Sequence, residues 1–490
     1  MGLSLGLDVA RSSLAVAGEQ VSVVSRNIAR INDPNATRKI AGAVTGPGAM
    51  VHLGRVDRVY DAVMLDKLLV STSDASAQNE ILSSVEELNA TIGDTDLERS
   101  PAALIAKLGA TLQQFSAAPY NTAAASAAVS SARDVASALN EGAQSADALR
   151  QRADSDIAQS ASKITDLLAR FHEYNNAVVQ GTHRGADITD VLDARDGTLK
   201  ELSAEIGITT LSRANGDLAI FTESGITLFD KEPRSVTFQP TPLLANGASG
   251  AAVYADGVPV SGAQHVLSIS SGRLAGLVSV RDDVVPAYQK QLDEIARALV
   301  TAFAEHDQSA LPVLPPVAGL FTYSGGPSIP AAGVLQPGLA GSISINPAVD
   351  PFNGGNAMLL RDGGISGNPA YVYNQTGAAG FTGRIDQMIA QLDTAQSFDA
   401  AAGLPSSASV TAFAKDSVSW LQTLRKTVSA EAEYRNTLGE RIQAALSRDT
   451  GVSLDEEMTN MLELERTFQA SSRLISAVDA MLEALISTVR

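Results

Sequence analysis

The first 31 residues carry apolar side chains at alternating steps of four and three. These positions are Leu3, Leu7, Ala10, Leu14, Ala17, Val21, Val24, Ile28 and Ile31. A seven-residue repeat of this kind is typical of the narrow seam of a coiled coil, not of the broad apolar face of a globular helix. Asn32 and Asp33 favour a turn, and Pro34 disfavours helical backbone at the residue before it. The pattern therefore predicts one helix that ends just before Pro34.

The last forty residues repeat the same alternation. The stripe runs through Leu454, Glu457, Met461, Leu464, Phe468, Ser471, Ile475, Val478, Leu482, Leu485 and Val489, with two polar positions. Ser453 and Glu456 have the spacing of a capping box at the start of a helix. Leu462, Leu474 and Met481 flank the stripe, so this second helix is predicted to bury more than one side.

An isolated helix cannot bury such a seam, and most helical stability comes from packing. Each buried seam residue contributes ~1–2 kcal/mol, which the ordering of the backbone largely offsets. We therefore expect the two terminal helices to pair with each other, then with neighbouring copies, and to be poorly ordered in a single molecule. The predicted assembly interface comprises Leu3, Leu7, Leu14, Val21, Val24, Ile28 and Ile31 at one end, and Leu464, Phe468, Ile475, Val478, Leu482 and Leu485 at the other.

The pattern between the two ends changes twice. Helical periodicity predicts helices over 61–92, 124–178, 282–306 and 408–447. Alternating β-branched and aromatic residues over 208–230 predict a β-meander, with Asn215-Gly216 as a type I′ hairpin turn. Strand-like segments continue to about residue 270. Residues 311–404 are rich in Gly, Pro, Asn and Ser, which indicates a second β-rich insertion or an elaborated loop region.

Together these elements predict a multidomain α+β protein. Paired terminal coiled-coil helices would occupy 1–35 with 453–490, and a long-helix bundle would occupy 36–185 with 271–310 and 405–452. Outer insertions would occupy 186–270, which reads as β-rich, and 311–404. The arrangement is nested, since each layer is built from segments near both ends of the chain.

Composition removes several classes of function. The net charge is −18, and no cluster of Lys and Arg is visible, so neither nucleic acid nor an anionic membrane is an expected partner. The 490 residues include no cysteine, which excludes disulfides and thiolate metal sites. No apolar run approaches the ~20 residues that span a bilayer. Residues 1–25 also lack a basic segment and an unbroken apolar run, so no cleaved signal peptide is expected.

No catalytic, cofactor-binding or metal-binding motif stands out. The five histidines are scattered without metal-ligand spacing. Asp282 and Asp283 directly precede a predicted helix, and the acidic run 455–457 falls in a predicted first turn. Acidic side chains are favourable there because of the helix dipole. We therefore expect a non-enzyme, although an enzyme domain hidden in the outer insertion is an alternative.

Both ends resemble the bacterial flagellar axial proteins. The stretch "RSSLAVAGEQVSVVSRNIARINDPNATRK" is similar to their N-terminal segment, with Asn27, Ile28, Asn32, Pro34 and Arg38 at matching positions. The stretch "GVSLDEEMTNMLELERTFQASSRLISAVDAMLEALI" is similar to their C-terminal signature. The family commonly has Tyr near Ala36 and Asn-Ala near Arg30 and Ile31, so this chain departs from it there.

Two internal segments resemble one branch of these proteins, the family of the first hook-associated protein. "DVLDARDGTLKELSAEIGIT" is similar to its Leu-x-x-Arg-Asp segment through Leu192, Arg195 and Asp196. "SGRLAGLVSVRDD" is similar to its Ser-Gly-x-Leu-x-Gly-Leu segment through Ser271, Gly272, Leu274, Gly276 and Leu277.

The resemblance implies a structural junction protein of the bacterial flagellum. It implies type III export without a cleaved leader, an export chaperone that binds the C-terminal helix, and an extracellular place at the hook–filament junction. It also implies a ring of copies that contacts the hook protein and the third hook-associated protein. A divergent flagellin or the third hook-associated protein itself is the nearer alternative.

Overall fold

The computed structural model describes residues 2–47, 50–92, 99–242, 244, 246–262, 267–311 and 313–488, and the side chains of all of these except residues 2, 3, 91, 92 and 488. The helices are α1 (Gly2–Ala29), α2 (Ala62–Ile92), α3 (Pro101–Ala117), α4 (Thr122–Arg184), α5 (Thr189–Glu205), α6 (Arg273–Ser279), α7 (Val285–Ala302), α8 (Leu359–Asp362), α9 (Gly383–Asp393), α10 (Val410–Thr450) and α11 (Leu454–Thr488).

The strands form small antiparallel sheets. β1 (Lys39–Thr45) pairs with β2 (Val51–Arg58), and β3 (Ile208–Ser212), β4 (Leu218–Thr222), β5 (Thr227–Asp230) and β6 (Glu232–Pro233) pair in chain order. The remaining sheets are β7 (Val236–Thr237) with β8 (Tyr254–Ala255) and β9 (Val258–Pro259), β10 (Phe321–Thr322) with β11 (Ser344–Ile345), and β12 (Gln396–Ser397) with β13 (Ser407–Ala408). The fold class is α+β and multidomain, which confirms the prediction.

The helices predicted over 61–92, 124–178 and 408–447 are α2, α4 and α10. α4 extends over 63 residues, and both of its ends are capped. The Asn121 side chain accepts hydrogen bonds from the backbone N–H groups of Ala123 and Ala124, and Gly185 closes the helix with a φ of 65°. Residues 311–404 are largely irregular, with short strands and the eleven-residue helix α9.

Several helix limits were predicted wrongly. The helix predicted over 282–306 begins nine residues earlier, since α6, a π-helical stretch (Val280–Val284) and α7 follow one another without a break, and it ends at Ala302. Asp282 and Asp283 therefore lie inside a helix and not before one. α3 and α5 were not predicted, although Ile105, Leu108, Leu112 and Phe115 of α3 recur at steps of three and four.

The hairpin turn and the end of α1 also differ from prediction. Asn215 and Gly216 both have positive φ, as a type I′ turn requires, but Arg213 N donates to Asp217 O, so three residues make the turn instead of two. α1 ends at Ala29, and Arg30 and Ile31 continue as tighter turns that bond three residues back. Ile31 is therefore outside the helix.

The core of the molecule lies along α4. Phe115, Phe171, Phe303 and Phe413 come from four different helical regions and are fully buried. α2 packs against α10 on one side of this core, and α1 packs against α11 at the end where the two chain termini meet. The pair of α1 and α11 is joined to the rest of the molecule through residues 30–61 after α1 and through residues 451–453 between α10 and α11.

Candidate assembly surface

α1 and α11 pack as an antiparallel pair along their predicted seams. Ser13 lies opposite Ser471, with 3.3 Å between the two hydroxyl oxygens, whereas Val24 lines a common groove with Leu464. Of the predicted interface, Val24 and Val478 are buried, and Leu7, Leu14, Val21, Ile28, Leu464, Ile475 and Leu482 are half-buried. Ile31, Phe468 and Leu485 are exposed, and the side chain of Leu3 lies outside the described part of the chain.

The predicted flank of α11 is not covered within one chain. Leu462, Leu474 and Met481 are each about half exposed. Leu454, Met458 and Ile486 add further exposed apolar side chains to the same helix. Within the single chain α11 therefore buries one side, and its remaining apolar surface is available for contact with another molecule.

A hairpin that the sequence analysis missed holds the other side of α1. The Asn27 amide donates to Lys39 O at 2.9 Å and accepts from Lys39 N at 3.1 Å, and Gln20 Nε2 donates to Ala41 O at 2.8 Å. These bonds fix strand β1 beside the helix and give Asn27, a family-motif residue, a structural role. The Gly-Pro-Gly sequence at 46–48 between two alternating runs was the available signal.

A ladder of four aspartates joins this layer to the core. Asp187 lies just before α5, and Asp190, Asp193 and Asp196 follow within it at three-residue steps, so each aspartate is a neighbour of the next along the helix surface. Each meets a basic side chain of the segment 26–58, in the pairs Arg26–Asp187, Arg30–Asp190, Lys39–Asp193 and Arg58–Asp196. The spacing of these aspartates was visible in the sequence, but their partners were not.

The centre of this ladder is buried. The Lys39 and Asp193 side chains are 1% and 0% exposed, with 2.8 Å between Nζ and Oδ2. Burial raises the pKa of Asp196 despite the guanidinium of Arg58. Burial also acts to raise the pKa of Asp190, but the hydrogen bond to Lys39 together with the positive charges of Lys39, Arg26 and Arg30 outweighs it, and the pKa is lowered.

The loop after α1 is tied to the joint between α10 and α11. Arg38 N donates to Thr450 O at 2.8 Å, and Arg38 Nε donates to Glu457 Oε1 at 2.8 Å. Arg38 also pairs with Glu456. The acidic run at the start of α11 therefore positions the N-terminal segment, in addition to any effect on the helix dipole.

Beneath this loop lies a cavity of about 280 Å³ that Asn32, Pro34, Asp196 and Lys200 help to line. Lys200 Nζ lies 3.2 Å from Asn35 Oδ1, and burial lowers its pKa. The motif residues of the first loop and of α5 thus meet at one place.

The internal motifs have packing roles. Arg195 donates to Asn175 Oδ1 at 3.1 Å and to Gly216 O at 2.6 Å, which ties α5 to the β3–β4 turn. A Cβ built on Gly276 would lie 2.6 Å from Ala77 O, so α6 approaches α2 too closely for any larger residue.

The other motif positions beside α6 are equally constrained. Gly272 has a φ of 87°, and a Cβ there would lie 2.5 Å from Ile206 Cα. Leu274 and Leu277 are buried in the core. This segment therefore fixes how α6 sits against its neighbours.

Two further observations concern the described residues alone. They contain no group of three or more His, Asp or Glu side chains placed to hold a metal ion. No helix among them has both the length and the hydropathy that crossing a bilayer requires.

Comparison with known families gives two matches. Residues 82–312 match the family model described as the flagellar hook-associated protein FlgK helical domain. Residues 443–488 match the model of the C-terminal segment of flagellar basal body rod FlgEFG proteins. The first match covers α3 to α7 with the C-terminal third of α2, and the second covers α11 with the end of α10.

Comparison with individual proteins gives relatives of low identity. Flagellar hook-associated protein 1 of Bacillus subtilis (strain 168) is 20% identical over 99% of this chain and 98% of its own length. Its namesake of Salmonella typhimurium (strain LT2) is 22% identical over 61% of this chain and 55% of its own length. The solved hook junction protein FlgK from Burkholderia pseudomallei is 21% identical, with a TM-score of 0.43 over 53% of this chain and 47% of its own.

Proposed function

We propose that the chain belongs to the family of flagellar hook-associated protein 1. As a member of that family, it is a structural protein of the junction between the flagellar hook and the filament. Its role is mechanical and not catalytic. It connects the hook to the filament, two assemblies whose subunits are arranged differently.

The observation that carries this proposal is the unfinished burial of the terminal helices. The seam of α1 is matched by the seam of α11, but Leu462, Phe468, Leu474 and Leu485 remain about half exposed. Apolar surface of this extent on a helix is stabilised when further copies cover it. The same region matches the C-terminal family model shared with rod proteins.

The finer parts of the proposal follow from the family. The predicted interface residues make contacts between copies in a ring. The hook protein lies on one side of that ring and the third hook-associated protein on the other. The chain is exported without cleavage of a leader, and a chaperone covers α11 before assembly.

Exchange of one seam residue tests the role. Ile475→Asp places a charge in the half-buried seam, and we expect secretion to persist while filaments fail to attach. Ser476→Asp is the matched control, since Ser476 is the exposed neighbour of Ile475. Attached filaments and normal motility in the Ile475→Asp strain would contradict the proposal. Secretion is measured in parallel, because the same helix is proposed to bind the chaperone.

Deletion of the gene separates this role from the nearest alternative. Loss of a junction protein leaves bare hooks and releases flagellin into the medium, whereas loss of a flagellin leaves hooks that still carry their junction proteins. Electron microscopy of the hook tip, with immunodetection of flagellin in the medium, distinguishes the two.

A further inference from the structure

A groove runs where α1, β1 and α11 meet. It has a volume of about 330 Å³, and its wall includes Gln20, Val24, Ile40, Asn460 and Glu463. Its lining is therefore part apolar and part polar, with carboxylates supplied by α11.

One carboxylate oxygen on the wall of this groove is incompletely paired. The Glu457 side chain is 1% exposed, and its Oε1 accepts from Arg38 Nε at 2.8 Å. Its Oε2 is buried and has no hydrogen-bond partner among the described residues. A buried carboxylate oxygen without a donor is costly, so a donor brought to this position would be bound favourably.

The charge around the groove is negative. Glu456, Glu457 and Glu463 supply three carboxylates at this end of α11, whereas Arg38 supplies one cation. Lys39 also lines the groove, but its ammonium group pairs with Asp193. The site therefore favours a cationic hydrogen-bond donor, and a guanidinium meets both requirements.

The opposite side of α11 carries a group of this kind. Leu454, Met458 and Leu462 follow one another at four-residue steps and are about half exposed, and Arg466 continues the stripe. Nine residues separate Glu457 from Arg466, which places them roughly 180° apart around the helix, whereas Glu463 lies only three residues before Arg466. Arg466 is exposed, and no carboxylate of the described residues lies within ion-pair distance of it.

We propose that the stripe Leu454–Met458–Leu462–Arg466 of one copy docks along the groove of the next copy, with the Arg466 guanidinium directed at Glu457 and Glu463. This inference rests on the proposed function and names the contact through which neighbouring copies join. The two surfaces are different, since Met458 and Leu462 of the stripe lie on another side of α11 from Glu457 and Asn460 of the groove. Their contact is therefore heterologous, and its repetition generates a ring or a helical array.

Covalent trapping tests the contact directly. The chain has no cysteine, so introduced thiols are unique. One strain produces a tagged Arg466→Cys chain together with an untagged Asn460→Cys chain. Its isolated flagella are treated with a short bis-maleimide, and we expect a covalent dimer of one tagged and one untagged chain. Strains with either variant alone should not form this dimer. Absence of the mixed dimer from flagella that keep their filaments would overturn the pairing, as would attachment of Asn460→Cys to a different protein.

Charge exchange provides the second test. Arg466→Glu and Glu463→Arg should each lose most attached filaments, and a strain that produces the two single variants together should recover them, because the altered stripe of one copy then meets the altered groove of the next. Arg473→Glu is the matched control, because Arg473 lies on the same side of α11 one heptad beyond, past the last groove residue Thr467. Equal effects of Arg466→Glu and Arg473→Glu would overturn the proposal.

The same strains distinguish the two proposals from each other. If deletion of the whole chain leaves filaments in place, the junction function fails. If deletion removes filaments but charge exchange and trapping have no effect, only the pairing between stripe and groove fails.

Discussion

The terminal pair and the central core bury similar apolar patterns to different extents. In α7, Leu292, Ile295 and Leu299 are at most 1% exposed. In α11, Leu462 and Phe468 occupy comparable positions of an amphipathic helix and remain about half exposed. The sequences of both helices show helical periodicity, but only the core closes its apolar surface within one chain.

The two regions also use their charges differently. In the core, Arg281 is fully buried and pairs with Asp154 at 2.6 Å, and Arg297 pairs with Glu294 at 2.9 Å. The terminal layer is instead fastened to the core by the aspartate ladder, which is partly open to solvent at Asp187 and Asp190. The comparison indicates a core that closes its apolar surface within one chain and a terminal layer, fastened to it by polar contacts, that does not.

The largest expected effect contrasts two phenylalanines. Phe171 is fully buried and lies 4.9 Å from the ring of Phe229, so Phe171→Ala should lower the free energy of unfolding by about 3–5 kcal/mol. Phe468→Ala should lower it by less than about 1 kcal/mol, because Phe468 is already half exposed. Urea denaturation followed by circular dichroism measures both. Similar losses would remove the distinction between the two regions.

A smaller and local effect is expected at the aspartate ladder. Asp193→Ala leaves the buried ammonium of Lys39 and the guanidinium of Arg58 with one carboxylate partner fewer, at a cost of about 2–3 kcal/mol. We expect faster amide exchange in α1 and β1 with little change in α4. Lys107→Ala, which removes an exposed ion pair with Asp134, is the control. If amide exchange in α4 becomes faster to the same extent, the aspartate ladder is part of the core and does not act locally.

The smallest expected effect is a pH dependence within the core. The Asp293 carboxylate accepts from Gly338 N and Ala340 N, both at 2.8 Å, and burial raises its pKa to about 6 from an ordinary value of 3.8. Between these values the folded state holds the proton more tightly than the unfolded state. Ionisation of Asp293 therefore lowers the free energy of unfolding as pH rises from about 4 to 6, by about 1–3 kcal/mol.

Asp293→Asn removes that titration. The unfolding free energy of the variant relative to the unaltered protein should increase between pH 4 and pH 7, which denaturation at several pH values measures. A difference that is constant with pH would contradict the raised pKa. The pH dependence at Asp190 has the opposite sign, because the pKa of Asp190 is lowered in the folded state. Its contribution to the free energy of unfolding should be lost only as pH falls below about 4.

The long helices α2, α4 and α10 and the apolar stripes of the two terminal helices were predictable, because helical periodicity is a local property of the chain. The stripes of α1 and α11 and the limits of α2 and α10 follow from spacing alone. The hairpin β1–β2 carried a signal that was available in the sequence. The resemblance of both termini to axial proteins was also carried by contiguous residues.

Partners distant in sequence were decided by tertiary structure. Lys39 is separated from Asp193 by 154 residues and Arg38 from Glu457 by 419, and no local pattern links them. The motif glycines were visible as letters, but only the approach of Gly276 to the backbone of α2 explains why a side chain is excluded there. Periodicity specifies which face of a helix is apolar. Which surface covers that face depends on how the whole chain packs, and for α11 one side is left uncovered.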